Sequence, residues 1–238
     1  MAKLEHRNLI RLLVYEFIPN MSLDRFLFDP IKRERLTWEK RYDIIVGISR
    51  GLLYLHEGTH LPIIHRDLKA SNVLLDEQMQ PKVSDFGMAT QFDFDKTQET
   101  TRRWIYMAPE YAMHGRFSVK TDVHSFGVLV LEIIMGQRNN GYGHGENTDH
   151  PSPAWTSWIE GTLLMNLVDP FLQSFSEKQV VRCIEIALLC VQENPMKRPT
   201  MASIVSMLSH ESLPLPTPLP KDIPLSVNDV SVTALSAR

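Results

Sequence analysis

The sequence predicts a mainly helical fold with a small β element, and three stretches carry that reading. Residues 119–135 are apolar nearly all round, as expected of a helix buried on every side. Residues 37–57 place Tyr42, Ile45, Ile48, Leu52 and Leu55 at helical spacing. Residues 63–86 alternate short apolar runs with polar turns, the pattern of short strands or buried loops.

Taken in order, MAKLEHRNLIRLLVYEF at 1–17 reads as a helix end followed by extended apolar chain. Residues 20–28 read as a short helix capped by Asn20 or Ser22. In the helix over 37–57, Thr37 is the expected cap, and Lys40 stands where a capping box would place an acid. Residues 87–107 are polar and rich in Thr and Gln, which predicts a mobile loop. Residues 136–153, with their Gly, Asn, His and Pro, predict a surface loop. Amphipathic helices are expected over 178–191 and 200–209, with ENPMKRPT as the loop between them. From about 210 a proline stands at nearly every second position, which suits an extended tail and neither helix nor central strand. There is no internal repeat and no composition break within 20–209.

The bulk numbers narrow the function. The 238 residues are 43% apolar and 22% charged, ordinary for a globular protein. A net charge of −3 with a pI near 6.3 argues against nucleic acid as a partner, since its binders usually carry a strongly basic face. No run reaches the ~20 apolar residues of a membrane-spanning helix. The longest candidate, residues 125–136, contains Glu132. Arg11 and Glu16 interrupt the N-terminal apolar run, so no signal peptide is read and the chain as given reads as cytoplasmic. On a helix Cys183 and Cys190 would stand roughly 10.5 Å apart along the axis, beyond the ~7 Å of a disulfide, and both are expected as buried thiols. The nine histidines show no metal-ligand spacing, and His144 and His150 read as solvated loop residues.

The chemistry concentrates in His65-Arg66-Asp67-Leu68-Lys69-Ala70-Ser71-Asn72, followed by Asp85-Phe86-Gly87 and then Ala108-Pro109-Glu110. Each tripeptide alone is weak; the ordered set at these spacings is strong. The set resembles the C-terminal lobe of the eukaryotic protein kinase family. TDVHSFGVLVLEIIMG resembles that lobe's central helix, and RPTM at 198–201 resembles the segment that partners Glu110. YMAPEYAMHGRFSVKTDV and SVNDVSV resemble plant receptor-like kinases of the cysteine-rich or S-locus type.

That resemblance implies a fold that is mainly α (α+β by family), with an N-lobe remnant and hinge at 1–18, the C-lobe at 19–209 and a Pro-rich tail at 210–238. It implies a Ser/Thr protein kinase moving the ATP γ-phosphate to protein hydroxyls. Such transfer needs positioning and charge neutralisation more than covalent chemistry. Asp67 would orient the substrate hydroxyl, Lys69 would offset charge on the transferring group, and Asn72 and Asp85 would offer oxygens to Mg²⁺. Glu16 and Ile18 of the hinge Tyr15-Glu16-Phe17-Ile18 would meet adenine through their backbone, with Leu74 as the floor beneath it. Leu74 also suits plain core packing. Arg66 would pair with a phosphate on Thr97, Thr100 or Thr101, threonines that equally suit a merely solvated loop. His65 and Phe86 would pack, Glu110 and Arg198 would form an ion pair, and Asp122 would anchor backbone near the Asp67 loop. Implied partners are ATP, a protein substrate and a partner kinase. The implied location is the cytosolic face of the plasma membrane, through a segment these residues do not include.

The sequence departs from the family pattern in several places. No G-x-G-x-x-G occurs among the 238 residues, and Lys3 is misplaced to hold phosphates. Leu13 runs directly into Val14 where two hairpin strands need at least two turn residues. Arg103-Trp104-Ile105 stands where the family has a Gly-Thr-x-Gly run, and His124 replaces a usual tyrosine. A polypeptide of these 238 residues is therefore expected to show no Mg-ATP-dependent labelling of itself. Labelling that disappears in Asp85→Asn would overturn this. The alternative readings are a non-catalytic kinase-like scaffold and an incomplete gene model.

Overall fold

The computed structural model describes residues 18–91, 108–115, 117–138 and 153–219. Readings on Tyr15, Glu16, Phe17, Thr97, Thr100, Thr101, Trp104, His144 and His150 lie outside the described residues. In chain order the elements are α1 (Asp24–Leu27), α2 (Trp38–Glu57), β1 (Ile63–Ile64), β2 (Val73–Leu75), β3 (Pro81–Val83), β4 (Thr90–Gln91), α3 (Pro109–His114), α4 (Val119–Met135), α5 (Pro153–Ile159), α6 (Leu163–Leu167), α7 (Glu177–Cys190) and α8 (Met201–Ser209). Short 3₁₀ turns at Lys32–Arg35, Ala70–Asn72, Phe86–Met88 and Pro195–Lys197 join them.

Helix α4 runs through the middle of the core, and local chemistry sets both of its ends. Ser118 and Thr121 form a reciprocal capping box at its start. Gly136, at φ +63°, ends it by donating its N–H to the Glu132 carbonyl. Every side chain from Thr121 to Ile134 is buried, as the all-round apolar pattern predicts. Helix α7 packs against α4 at Gly127. A Cβ there would stand 2.6 Å from Cys190 Cβ, so the glycine permits the close approach. Cys183 and Cys190 are buried free thiols, and burial pushes Cys183 up to about 12 and Cys190 higher still. Both are inert for want of thiolate.

Helix α2 packs on α8 and on the β2–β3 hairpin, and it is tied outward by Tyr42 Oη donating to the Leu208 carbonyl at 2.6 Å. Thr37 sits at its N-cap but makes no side-chain capping bond. Its hydroxyl serves Glu39 instead: Glu39's own backbone N–H and then Thr37 lower that carboxyl. Neither Asn20 nor Ser22 caps α1; Leu23 holds that place. Asn20 donates to the Asp76 carbonyl at 2.7 Å, and Ser22 bonds Asp24 at 2.5 Å. The physical reason is that residues 21–23 lie along β2: Leu23 N–H donates to the Val73 carbonyl and Leu75 N–H to that of Met21. Pairing to a strand claims the segment that a cap would need.

Strands β2 and β3 form an antiparallel hairpin with Val73 opposite Val83, and β1 pairs antiparallel with β4. The expected loop from 87 therefore begins with ordered chain, a 3₁₀ turn and then β4. Helices α3, α5 and α6 are additions to the sequence reading, and ENPMKRPT contains a 3₁₀ turn capped by Asn194. Residues 210–219 hold no helix or strand, as their prolines require. Among the described residues no helix is long and apolar enough to cross a membrane.

Candidate active site

The Asp67 loop is built outward from buried chain. Both residues of β1 are buried, and so is the His65 that follows. The His65 ring packs on Phe86 at 5.1 Å between centroids. Its Nε2 lies 2.9 Å from the Ser84 carbonyl, and its Nδ1 lies 3.3 Å from the Asp67 N–H. A proton on Nε2 satisfies both contacts. His65 thus ties the loop to the segment carrying Asp85.

Arg66 stands in the left-handed region at φ +67°, an uncommon place for a residue with a side chain. Asp122, at the start of α4, holds it there. Its Oδ1 accepts the Arg66 N–H at 2.9 Å, and its Oδ2 accepts the His65 N–H at 2.8 Å and faces His56 Nε2 at 3.0 Å. Burial alone would raise the Asp122 carboxyl. The His56 hydrogen bond and charge, with His65 and the Arg66 N–H, outweigh burial and hold it below the usual range.

Beyond Arg66, three expected site residues converge. Lys69 Nζ donates to Asp67 Oδ2 at 2.7 Å, and Asn72 Nδ2 donates to the same oxygen at 3.0 Å and to the Asp67 carbonyl at 2.8 Å. The 3₁₀ turn Ala70–Asn72 folds Asn72 back over the loop. Asp85 is brought near by register. Asn72 precedes β2 and Ser84 follows β3, and the Asn72 carbonyl accepts the Ser84 N–H at 2.8 Å. Asp85 comes next, in the left-handed region at φ +63°, its side chain accepting the Gly87 N–H.

This donor set fits a hard divalent cation. The Asn72 amide nitrogen is committed to Asp67, so its oxygen is the atom that would face a cation, and Asp85 presents an exposed carboxylate one register step away. Among the described residues no cluster of three or more His, Cys, Asp or Glu side chains could hold a metal. A Mg²⁺ held by one or two protein oxygens plus phosphates needs none.

The remaining expected residues divide. Leu74 is half-buried on β2 and bridges to Ser22. Ile18 is half-buried a few residues before that bridge, and Glu16 lies outside the described residues. Glu110 and Arg198 form the expected ion pair, bidentate at 2.7 and 2.9 Å with Arg198 buried. Arg66 donates to the Tyr111 hydroxyl at 2.5 and 3.2 Å and lies over the Phe117 ring at 4.3 Å. Sequence reasoning missed Tyr111, Phe117, His56 and Ser84. The signal for Tyr111 was its place directly after Ala108-Pro109-Glu110.

The fold and this constellation define a protein kinase lobe. A family model described as protein tyrosine and serine/threonine kinase matches residues 2–208, and the chain belongs to that family. Members of the family use ATP and a divalent metal. The chain is 64% identical to cysteine-rich receptor-like protein kinase 27 of Arabidopsis thaliana, over all of this chain and 41% of that protein. It is 55% identical to cysteine-rich receptor-like protein kinase 26 of the same plant, over 91% of this chain and 36% of that one. It is 50% identical to cysteine-rich receptor-like protein kinase 29, over all of this chain and 40% of that one. The chain thus spans about two fifths of these relatives. The first match extends over 263 residues against the 238 of this chain, so the alignment leaves positions without a counterpart here.

Proposed function

We propose that the chain carries the phosphotransfer lobe of a receptor-like Ser/Thr protein kinase, with its N-lobe remnant and hinge at 1–18, the lobe at 19–209 and a tail at 210–238. The observation that carries this is the convergence of Lys69 and Asn72 on one Asp67 oxygen, with Asp85 one register step beyond. Asp67 orients a Ser or Thr hydroxyl and accepts its proton. Lys69, already within reach of that carboxylate, offsets negative charge on the group being transferred, the Ser/Thr pattern. Asn72 and Asp85 hold Mg²⁺, which when bound neutralises phosphate charge. Ile18 and Glu16 meet adenine by backbone, with Leu74 beneath. In the cell this lobe works at the cytosolic face of the plasma membrane, on a protein substrate and beside a partner kinase.

The test places the chain behind the small lobe of the 64%-identical relative and follows transfer from Mg-ATP to a generic protein substrate. Asp67→Asn is expected to lower kcat by about 10²–10⁴-fold with little change in the ATP KM, the range of a general base. Undiminished kcat in Asp67→Asn rejects the reading. The second reading, a non-catalytic scaffold, is favoured by the Arg103-Trp104-Ile105 substitution in the run before Ala108. It predicts no transfer in that same chimera.

A further inference from the structure

Past α8 the described chain, to residue 219, does not leave the surface. It is strapped beside α7 by side chains that grip backbone carbonyls. Arg182 Nε donates to the Met207 carbonyl at 2.8 Å, and its Nη2 donates to those of His210 at 2.9 Å and Leu213 at 2.8 Å. Just beyond α7, Gln192 Nε2 donates to the Leu219 carbonyl at 2.9 Å. Between these clamps Leu215 packs against the core and Pro218 is buried. Prolines at 214, 216 and 218 favour extended backbone and supply no N–H, so side-chain clamps must do what a ladder would. The strap, Trp158, Arg182 and Glu185 line an open cleft of about 410 Å³. Thr217 lies on this strap, exposed, immediately before buried Pro218.

We propose that Thr217 is a phosphoacceptor for a proline-directed protein kinase, and that phosphorylation there keeps the strap off α7. Such a kinase reads the proline after the acceptor and holds the segment extended in its own cleft. In the strapped state it meets Thr217 but not Pro218, and the Leu219 carbonyl is engaged. Transfer therefore draws on the lifted strap. The bond between the ATP γ-phosphorus and the bridging oxygen breaks, the Thr217 Oγ1–P bond forms, the hydroxyl proton passes to the modifying kinase's base, and ADP leaves.

The product carries about −1.5 to −2 charges. Back in the strapped position it would enter a cleft lined by Glu185 and Glu211. Glu211 is partly offset by Lys178 at 3.4 Å, and Glu185 by the charge of Arg182, whose Nε and Nη2 cannot turn to a phosphate without releasing the three strap carbonyls they hold. Repulsion by the two acids, or capture of Arg182 by the phosphate at the expense of its strap carbonyls, then opposes re-docking. This proposal treats the chain as a substrate and stands whether or not the chain is itself a kinase.

The test incubates the 238-residue chain with a kinase of the cyclin-dependent or mitogen-activated class and radiolabelled ATP, and locates the phosphate by mass spectrometry. Phosphate is expected on Thr217 and absent there in Thr217→Val. Its rate of incorporation is expected to rise about fivefold in Gln192→Ala or Gln192→Glu, the effect of removing one hydrogen bond from the strap. In the parent chain, phosphorylation is expected to speed amide exchange at Leu215, Thr217 and Leu219. Label confined to Ser152, the sequence's other Ser/Thr-Pro step, overturns the proposal. So do equal rates with and without the Gln192 clamp, or unchanged exchange after phosphorylation.

Discussion

Asp122→Ala is expected to cost about 3–5 kcal/mol of folding stability, the usual effect of removing one partner from a buried, hydrogen-bonded charge site. The fully buried carboxylate gathers His56 and the N–H groups of His65 and Arg66. Without it the donors of His56, His65 and Arg66 lose their shared acceptor, and the backbone tie that holds Arg66 in its left-handed conformation is gone. Urea unfolding followed by circular dichroism measures the loss as a fall in midpoint. A pH dependence follows. The folded carboxyl is held below its ordinary value, so its contribution is present above the ordinary carboxylate range and is lost as pH falls through the depressed folded value. The near-isosteric Asp122→Asn is therefore expected to lose stability at neutral pH and to show a shallower acid decline than the parent. An acid decline as steep as the parent's would refute this account of Asp122.

The second large effect lies at the other end of α4. Arg41 is fully buried and donates to the Leu36 carbonyl at 2.9 Å, to the Ile133 carbonyl at 2.8 Å and to Asp169 Oδ2 at 2.6 Å. Burial lowers the Arg41 pKa, but Asp169 opposes that shift. Arg33 approaches the same Asp169 oxygen at 3.5 Å and donates to the Gly136 carbonyl. Asp169→Ala leaves two neighbouring cations without their shared anion, and a loss of about 3–5 kcal/mol is expected. Arg41→Met combined with Asp169→Leu is expected to recover only part of it, because the carbonyls of Leu36 and Ile133 then lose their donor. An Asp169→Ala midpoint shift worth less than about 0.5 kcal/mol, as at an ordinary surface position, would show that the pair does not hold α4.

Both sites stabilise α4 through partners far away in the chain, and this marks where sequence reading stops. The Asp67 site was legible because Lys69 and Asn72 lie two and five residues from Asp67, so one loop with one 3₁₀ turn brings them together. The pairing of Glu110 with Arg198 came from the resemblance, since no local pattern links positions 88 residues apart. His56, Ser84 and Tyr111 approach the loop from three other segments, and of these only Tyr111, directly after Ala108-Pro109-Glu110, has a signal beside it. The reading of Asn20 or Ser22 as a cap failed for a related reason. It weighed the local preference of those side chains, while pairing with β2, more than 50 residues on, decided the backbone.

Alone, then, the sequence determined the elements whose cause is local. Helix α4 runs over the residues its apolar pattern marks, because burial on all sides, a capping box and a terminal glycine act within one or two turns. The same holds for α2, α7 and α8, each long enough to show helical periodicity. Helices α3, α5 and α6, of five to seven residues, hold too few turns for a period to show, and packing decided them. The tertiary structure also decided which polar groups meet. Arg41 with Asp169, His56 with Asp122 and Arg66 with Tyr111 are matched by proximity in a low-dielectric interior, a property of the assembled core that no single segment of sequence carries.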